Sequence, residues 1–176
     1  WTTSSTWSDT AIKYTSSSTK QTAQGWASTF GKSINTSDAS VTLYAQWEVN
    51  KLNITYDANG GTFPSNPKTT QNMSYGTTTH SLSYSTPTKP GHKFTGWATS
   101  STATKYTSSS GSKTAQDWAT AFGKSIETDD PSVTLYAQWQ AYQLKITYNA
   151  NGGSSTPSTQ TKYIGSRLTL ASAISR

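Results

Sequence analysis

The sequence predicts an α+β fold in which each repeat packs one amphipathic helix on a small mixed sheet. Three observations carry this. Long blocks return at a constant offset, so the chain is a repeat array. Short alternating segments bracket each repeat as half-buried strands. Between them lies a single apolar stripe at helical spacing.

The offset is 92 residues, the length of a small domain. Lys13–Ser18 recurs as Lys105–Ser110, Val41–Trp47 recurs intact as Val133–Trp139, and Leu52–Gly61 recurs as Leu144–Gly153 with two substitutions. The phase divides the chain into residues 1–47, the C-terminal part of a repeat; 48–139, a complete repeat; and 140–176, the N-terminal part of a further repeat. Trp1 aligns with Trp97 if about four extra residues sit near Trp7, and Ser175-Arg176 align with Pro87-Thr88 if Tyr163 matches Tyr75. The chain is therefore expected to be a piece of a longer array.

Within one repeat, Lys51–Tyr56 alternates, with Leu52, Ile54 and Tyr56 on one face of a strand. Asp57-Ala58-Asn59-Gly60-Gly61 carries the Asn-Gly hairpin signal. Asn72–Tyr75 and His80–Tyr84 are weaker strands in a Thr-rich stretch. Pro87, Pro90 and Gly91 precede a short aromatic strand, Lys93–Trp97, and the Ser/Thr tract to Ser112 reads as an exposed loop. Thr114–Gly123 is the helix. Ala115, Trp118, Ala119 and Phe122 make its stripe, Thr114 and Asp117 suit a capping box, and Gly123 suits the left-handed position after the last turn. Ala23, Trp26, Ala27, Phe30 and Gly31 repeat the pattern. The closing strand should place Val133, Leu135, Ala137 and Trp139 inward and Thr134, Tyr136 and Gln138 outward.

Composition narrows the function. Of 176 residues, 29 are Ser and 33 are Thr, while only 12% are charged and 12% are aromatic. Disorder needs high net charge and few aromatics, so this chain should build a core from a few large side chains and cover it with hydroxyls. With no Cys there is no disulfide or thiolate chemistry. No apolar run approaches the roughly 20 residues of a membrane helix, so no membrane insertion is expected of this segment. The net charge of +6 is scattered, without three basic residues in succession, and no nucleic-acid partner is expected.

Three blocks stand out in order: Leu52-x-Ile54-Thr55-Tyr56-Asp57-Ala58-Asn59-Gly60-Gly61, Pro87–Trp97 and Val133–Trp139. Together they resemble the Listeria–Bacteroides repeat, also called the internalin B-type repeat. The insert between Trp97 and Val133 is longer than that family leads one to expect. The resemblance implies tandem β-grasp-like (ubiquitin-like) repeats in secreted or cell-wall-attached surface proteins, with a spacer or adhesin role and no catalytic residues.

Weighed singly, the chemical groups point the same way. The eight acids lack the facing pair that glycoside hydrolysis needs. Glu127-Thr128-Asp129-Asp130 could offer oxygens to Ca²⁺, but the equivalent Asn35-Thr36-Ser37-Asp38 keeps one acid of three, so a solvated loop is the better reading. His80 and His92 have no evident Ser–acid partners. No enzyme, metal or cofactor is expected. Trp26, Trp47, Trp97, Trp118 and Trp139 read as core, whereas Tyr44, Tyr136 and Tyr106, with Tyr14, are candidate ligand contacts. Asn35, Asn53 and Asn72 open glycosylation sequons. The expected role is a non-catalytic structural or adhesive module of an extracellular, cell-surface protein. Its partners would be other repeats or copies, surface glycans or proteins of a host or neighbouring cell. A filament completed head-to-tail between copies and a carbohydrate-binding module are the alternatives.

Overall fold

The computed structural model describes all residues except 7–12, 16, 17, 19, 36, 128 and 173–176. The extra residues near Trp7, Asp9, part of the Lys13–Ser18 block, the Thr36 and Thr128 positions and the Ser175-Arg176 alignment lie outside the described residues. The chain divides into two compact units, Trp1–Glu48 and Val49–Arg176.

The first unit holds one helix, α1 (Ala23–Thr29). Thr22 caps it by accepting the Gly25 N–H at 3.1 Å, which satisfies one of the orphan donors of the first turn. Thr2 and Tyr44 form an antiparallel bridge, and the Trp1 and Tyr14 backbones bond to each other.

The second unit contains β1 (Lys51–Asp57), β2 (Thr70–Ser74), β3 (Thr79–His80), β4 (His92–Ala98), β5 (Lys113–Thr114), α2 (Ala115–Ala121), β6 (Ser132–Ala141), β7 (Gln143–Ile146) and β8 (Gln160–Tyr163). Four strands make the main sheet in the order β2-β1-β6-β4. The inner pair β1 and β6 is parallel, with Ile54 opposite Val133 and Tyr56 opposite Leu135, and the outer pairs are antiparallel. A parallel pair needs a long crossover, and α2 lies on the connection from β4 to β6. This is an α+β mixed sheet with few helices, as the periodicities predict.

Alternation decides the core. Leu52, Ile54, Tyr56, Met73, Val133, Leu135 and Ala137 project from one face of the sheet and meet Ala115, Trp118, Ala119 and Phe122 of the helical segment. Trp97 and Trp118 are fully buried. Thr114 caps α2 by accepting the Asp117 N–H and donates its hydroxyl to the Asp117 carboxylate at 2.7 Å, close to the expected capping box.

Several local expectations change. The Asn-Gly turn does form, but it opens a long connection rather than closing a tight hairpin, because β2 begins only at Thr70. Gly61 follows because a Cβ there would lie 2.5 Å from the Trp139 ring and 2.7 Å from the Thr88 carbonyl oxygen. The predicted strand over His80–Tyr84 shrinks to Thr79–His80, paired with Lys113–Thr114. Gln138, expected outside, is 8% exposed. The β4–β6 register slips between Phe94 and Gly96, and there the Thr95 hydroxyl donates to the Gln138 carbonyl. Trp47, expected in a core, is 84% exposed.

Candidate functional site

The outer face of the main sheet is polar and regular. Thr70, Thr55 and Thr134 form one row across β2, β1 and β6, and Asn72, Asn53 and Ser132 form the next. Tyr136 rises from this side of β6 at 39% exposure, and Tyr44, 92 residues earlier, is 41% exposed in its own unit. Asn53 and Asn72 are direct cross-strand partners, so a substituent on one would crowd the other. Asn35 is also exposed.

Tyr106 is placed differently from the expected exposed contact. Its ring is half-buried and packs edge-on against Trp118 at 5.5 Å and Phe122 at 5.4 Å, while its hydroxyl donates to the Ala121 carbonyl. Tyr14 repeats this arrangement against Trp26 at 5.9 Å and Phe30 at 5.1 Å. A tyrosine in a Ser/Thr-rich tract looks solvent-facing, but its partner is a helix encountered later in the chain.

Four of the described acids make structural hydrogen bonds. Asp57 Oδ1 accepts the Asn59 N–H at 2.7 Å, and Asp130 Oδ1 accepts the Lys51 N–H at 2.5 Å. Asp117 belongs to the helix cap, and Glu127 accepts from the Tyr75 hydroxyl. Among the described residues, no group of three His, Cys, Asp or Glu side chains converges as metal ligands would. His80 Nε2 is buried without a hydrogen-bond partner, so no hydroxyl or carboxylate reaches it. His92 Nδ1 lies 2.9 Å from the Pro90 carbonyl oxygen and donates to it in the matching tautomer.

One polar cluster escaped the sequence reading. The Tyr56 hydroxyl donates to Gln71 Oε1 at 3.0 Å, the Ser83 N–H donates to the same oxygen at 2.8 Å, and Gln71 Nε2 donates to the Ser81 carbonyl. Burial drives the Tyr56 phenol well above its ordinary pKa, Tyr84 pushes it the same way, and a hydrogen bond from the Ser83 backbone opposes them. The cluster recurs: Tyr148 bonds to Gln160, Gln160 accepts from the Ala171 N–H, and its amide donates to the Thr169 carbonyl. The Tyr–Gln spacing differs between the copies, so no fixed motif announces it.

The most informative geometry is the junction after β6. Only Tyr142 separates β6 from β7, and it is bonded on both sides. Its N–H donates to the Gly91 carbonyl at 2.8 Å, extending the β4–β6 ladder, and its carbonyl accepts the Ile164 N–H at 3.0 Å, extending the β7–β8 ladder. Ile164 sits over Gly91, where a Cβ would collide with it, and Gly91 has φ +70, a conformation that favours glycine.

Strand β1 with its Asn-Gly turn, strand β4 and strand β6 coincide with the three blocks found in the sequence. Residues 53–138 match the Listeria–Bacteroides repeat domain. The central segment is a Listeria–Bacteroides repeat. Two proteins of Evansella cellulosilytica are similar to the chain. One, bearing the name of a Gly-rich membrane protein, is 32% identical over 130 residues, covering 73% of this chain and 12% of its own length. The other, named as a membrane protein, is 28% identical over 137 residues, covering 77% of this chain and 17% of its own. The chain thus spans less than a fifth of the length of either relative. No solved structure matches it. Among the described residues, no helix is long and apolar enough to cross a membrane.

Proposed function

We propose that the chain is a non-catalytic stalk segment of an extracellular, surface-associated protein, built from tandem β-grasp-like repeats. The sheet order β2-β1-β6-β4 with its parallel centre and crossover helix supports the β-grasp reading. Surface association is supported by the Listeria–Bacteroides repeat and by the names of the two Evansella proteins. The observation that carries the stalk role is the junction at Tyr142. Flexible linkers are long and rich in Gly and Ser, whereas here a single residue, bonded on both sides, joins one sheet to the next. Such a joint transmits orientation and keeps whatever lies beyond it at a set distance.

The test is small-angle scattering on runs of two, three and four consecutive repeats. The stalk reading expects the maximum dimension to grow by a constant increment per repeat. Runs that collapse to compact particles would contradict it.

A second reading is supported by Tyr44 and Tyr136, which hold one equivalent, exposed position. Aromatic faces beside hydroxyl-rich strands suit glycans, and tandem copies multiply weak contacts. Binding on a glycan array that disappears in the Tyr136→Ala variant is the outcome that would favour it.

A further inference from the structure

The Asn-Gly turn after β1 carries a chemistry that its hydrogen bonds hold in check. An asparagine followed by glycine is prone to lose ammonia. The next backbone nitrogen can reach the side-chain carbonyl carbon, and a glycine puts no Cβ in the way. In the central repeat only Asn59 has this neighbour. Asn66 precedes Pro67, whose nitrogen carries no hydrogen, and Asn50, Asn53 and Asn72 precede Lys51, Ile54 and Met73, which all have side chains. Asn59 and Gly60 are both exposed, so water reaches them.

The turn fixes both partners of that reaction. The Gly61 N–H donates to the Ala58 carbonyl at 2.9 Å across Asn59 at φ +48 and Gly60 at φ +78, the arrangement of a type I′ turn. The Asn59 carboxamide Nδ2 donates to the Ala137 carbonyl of β6 at 2.9 Å, which holds the electrophilic carbon in place. The Asn59 backbone carbonyl accepts the Trp139 indole N–H at 3.1 Å and lies 3.5 Å from the Lys89 ammonium. A peptide group is planar, so fixing this carbonyl also fixes the Gly60 nitrogen that must attack. The turn has no slack, since a Cβ at Gly61 would lie 2.5 Å from the Trp139 ring.

We propose that Asn59 is a deamidation site that folding closes and that opens when β6 leaves the turn, so that it marks a repeat that has been unfolded. In the open chain the Gly60 nitrogen bonds to the Asn59 Cγ, the Cγ–Nδ2 bond breaks, and ammonia leaves with the proton from Gly60. Water then opens the succinimide ring at either carbonyl, giving aspartate or its isoaspartyl isomer, and nothing is oxidised or reduced. Neither product keeps the Nδ2 donor that Ala137 accepts from. The isoaspartyl product also routes the backbone through an extra methylene, for which the turn packed on Trp139 has no room. A marked repeat therefore returns to a weaker fold. The site works in the same way whether or not the repeats form a stalk.

Peptide mapping by mass spectrometry tests this on the 176-residue chain, incubated at mildly alkaline pH with and without urea. Mapping separates Asn59 from Asn151-Gly152, the second Asn-Gly pair of the sequence. Asn59 should convert at least about tenfold more slowly in the native chain, the factor that an opening cost of about 1.4 kcal/mol imposes. Trp139→Phe keeps an aromatic ring but removes the N–H that fixes the peptide plane. Tyr56→Phe alters a side chain that has no hydrogen bond to the turn and serves as the reference for general loss of stability. Compared in urea at equal, small unfolded fractions by circular dichroism, Trp139→Phe should convert severalfold faster than Tyr56→Phe. Chain aged in urea and returned to buffer should melt at a lower temperature than freshly unfolded chain, measured in the Asn151→Asp variant so that the second pair is already converted. Equal rates in native and unfolded chain would overturn the proposal. So would a Trp139→Phe rate no higher than that of Tyr56→Phe, or an aged chain that melts like a fresh one.

Discussion

Phe122 shows how few side chains hold a repeat together. Its ring stacks on Trp118 and meets Tyr106 edge-on, so one truncation removes contacts to both neighbours. Phe122→Ala should lower stability by about 3–5 kcal/mol, a large share of what a small domain possesses. Phe30 stacks on Trp26 in the same way but is partly exposed, so Phe30→Ala should cost clearly less. Chemical denaturation of the two variants side by side reads the difference, and equal losses would mean that the α1 face is covered after all. Tyr56 gives the fold a pH dependence. Burial favours its neutral form and raises its pKa in the folded state above the unfolded value near 10. A group raised in this way contributes its full stability below pH 10 and loses it as pH climbs beyond. Tyr56→Phe should therefore reduce stability at neutral pH by about 0.5–1.5 kcal/mol, through loss of the bond to Gln71. The variant should then fall less steeply than wild type in an alkaline titration followed by circular dichroism. Parallel curves would show that this phenol is not the group responsible.

At the scale of elements, the sequence made α2 and β6 legible because their signals are local. A Thr cap, an apolar stripe and a following Gly lie within ten consecutive positions, and the sequence of β6 alternates from Val133 to Trp139. Elements set by distant partners were harder to read. The Asn-Gly turn is real, yet its geometry serves Trp139, whose indole N–H donates to the Ala58 and Asn59 carbonyls from about eighty residues away. The burial of Gln138 depends on a register slip in β4, and β5 exists only because His80 and Lys113 meet. Tyr106 appeared as a surface aromatic because its flanks are polar, while the helix that receives it comes later in the chain. The Tyr56–Gln71 cluster was invisible for a related reason: its copy, Tyr148–Gln160, keeps the chemistry but not the spacing. Of the candidate site residues, the outward position of Tyr44 and Tyr136 followed from strand alternation, and that of Asn53 from Leu52 facing inward.

For the whole molecule, the decisive feature is the joint between sheets. A chain of independent domains separated by flexible linkers would sample many relative orientations, but Tyr142 leaves no linker to flex and is held by Gly91 on one side and Ile164 on the other. Filling the Gly91 position should disturb this, because the side chain would displace Ile164 and the backbone already has φ +70. The sequence contains no Cys, so introduced cysteines are unique labelling sites. Thr70 and Thr161 are exposed strand residues on either side of the joint. The most direct test of a stiff repeat array is the distance distribution between spin labels on Thr70→Cys and Thr161→Cys, measured by pulsed electron paramagnetic resonance. A single narrow distribution that broadens when Gly91→Val is added is the predicted result; a broad distribution in the otherwise native chain, indifferent to Gly91→Val, would contradict it.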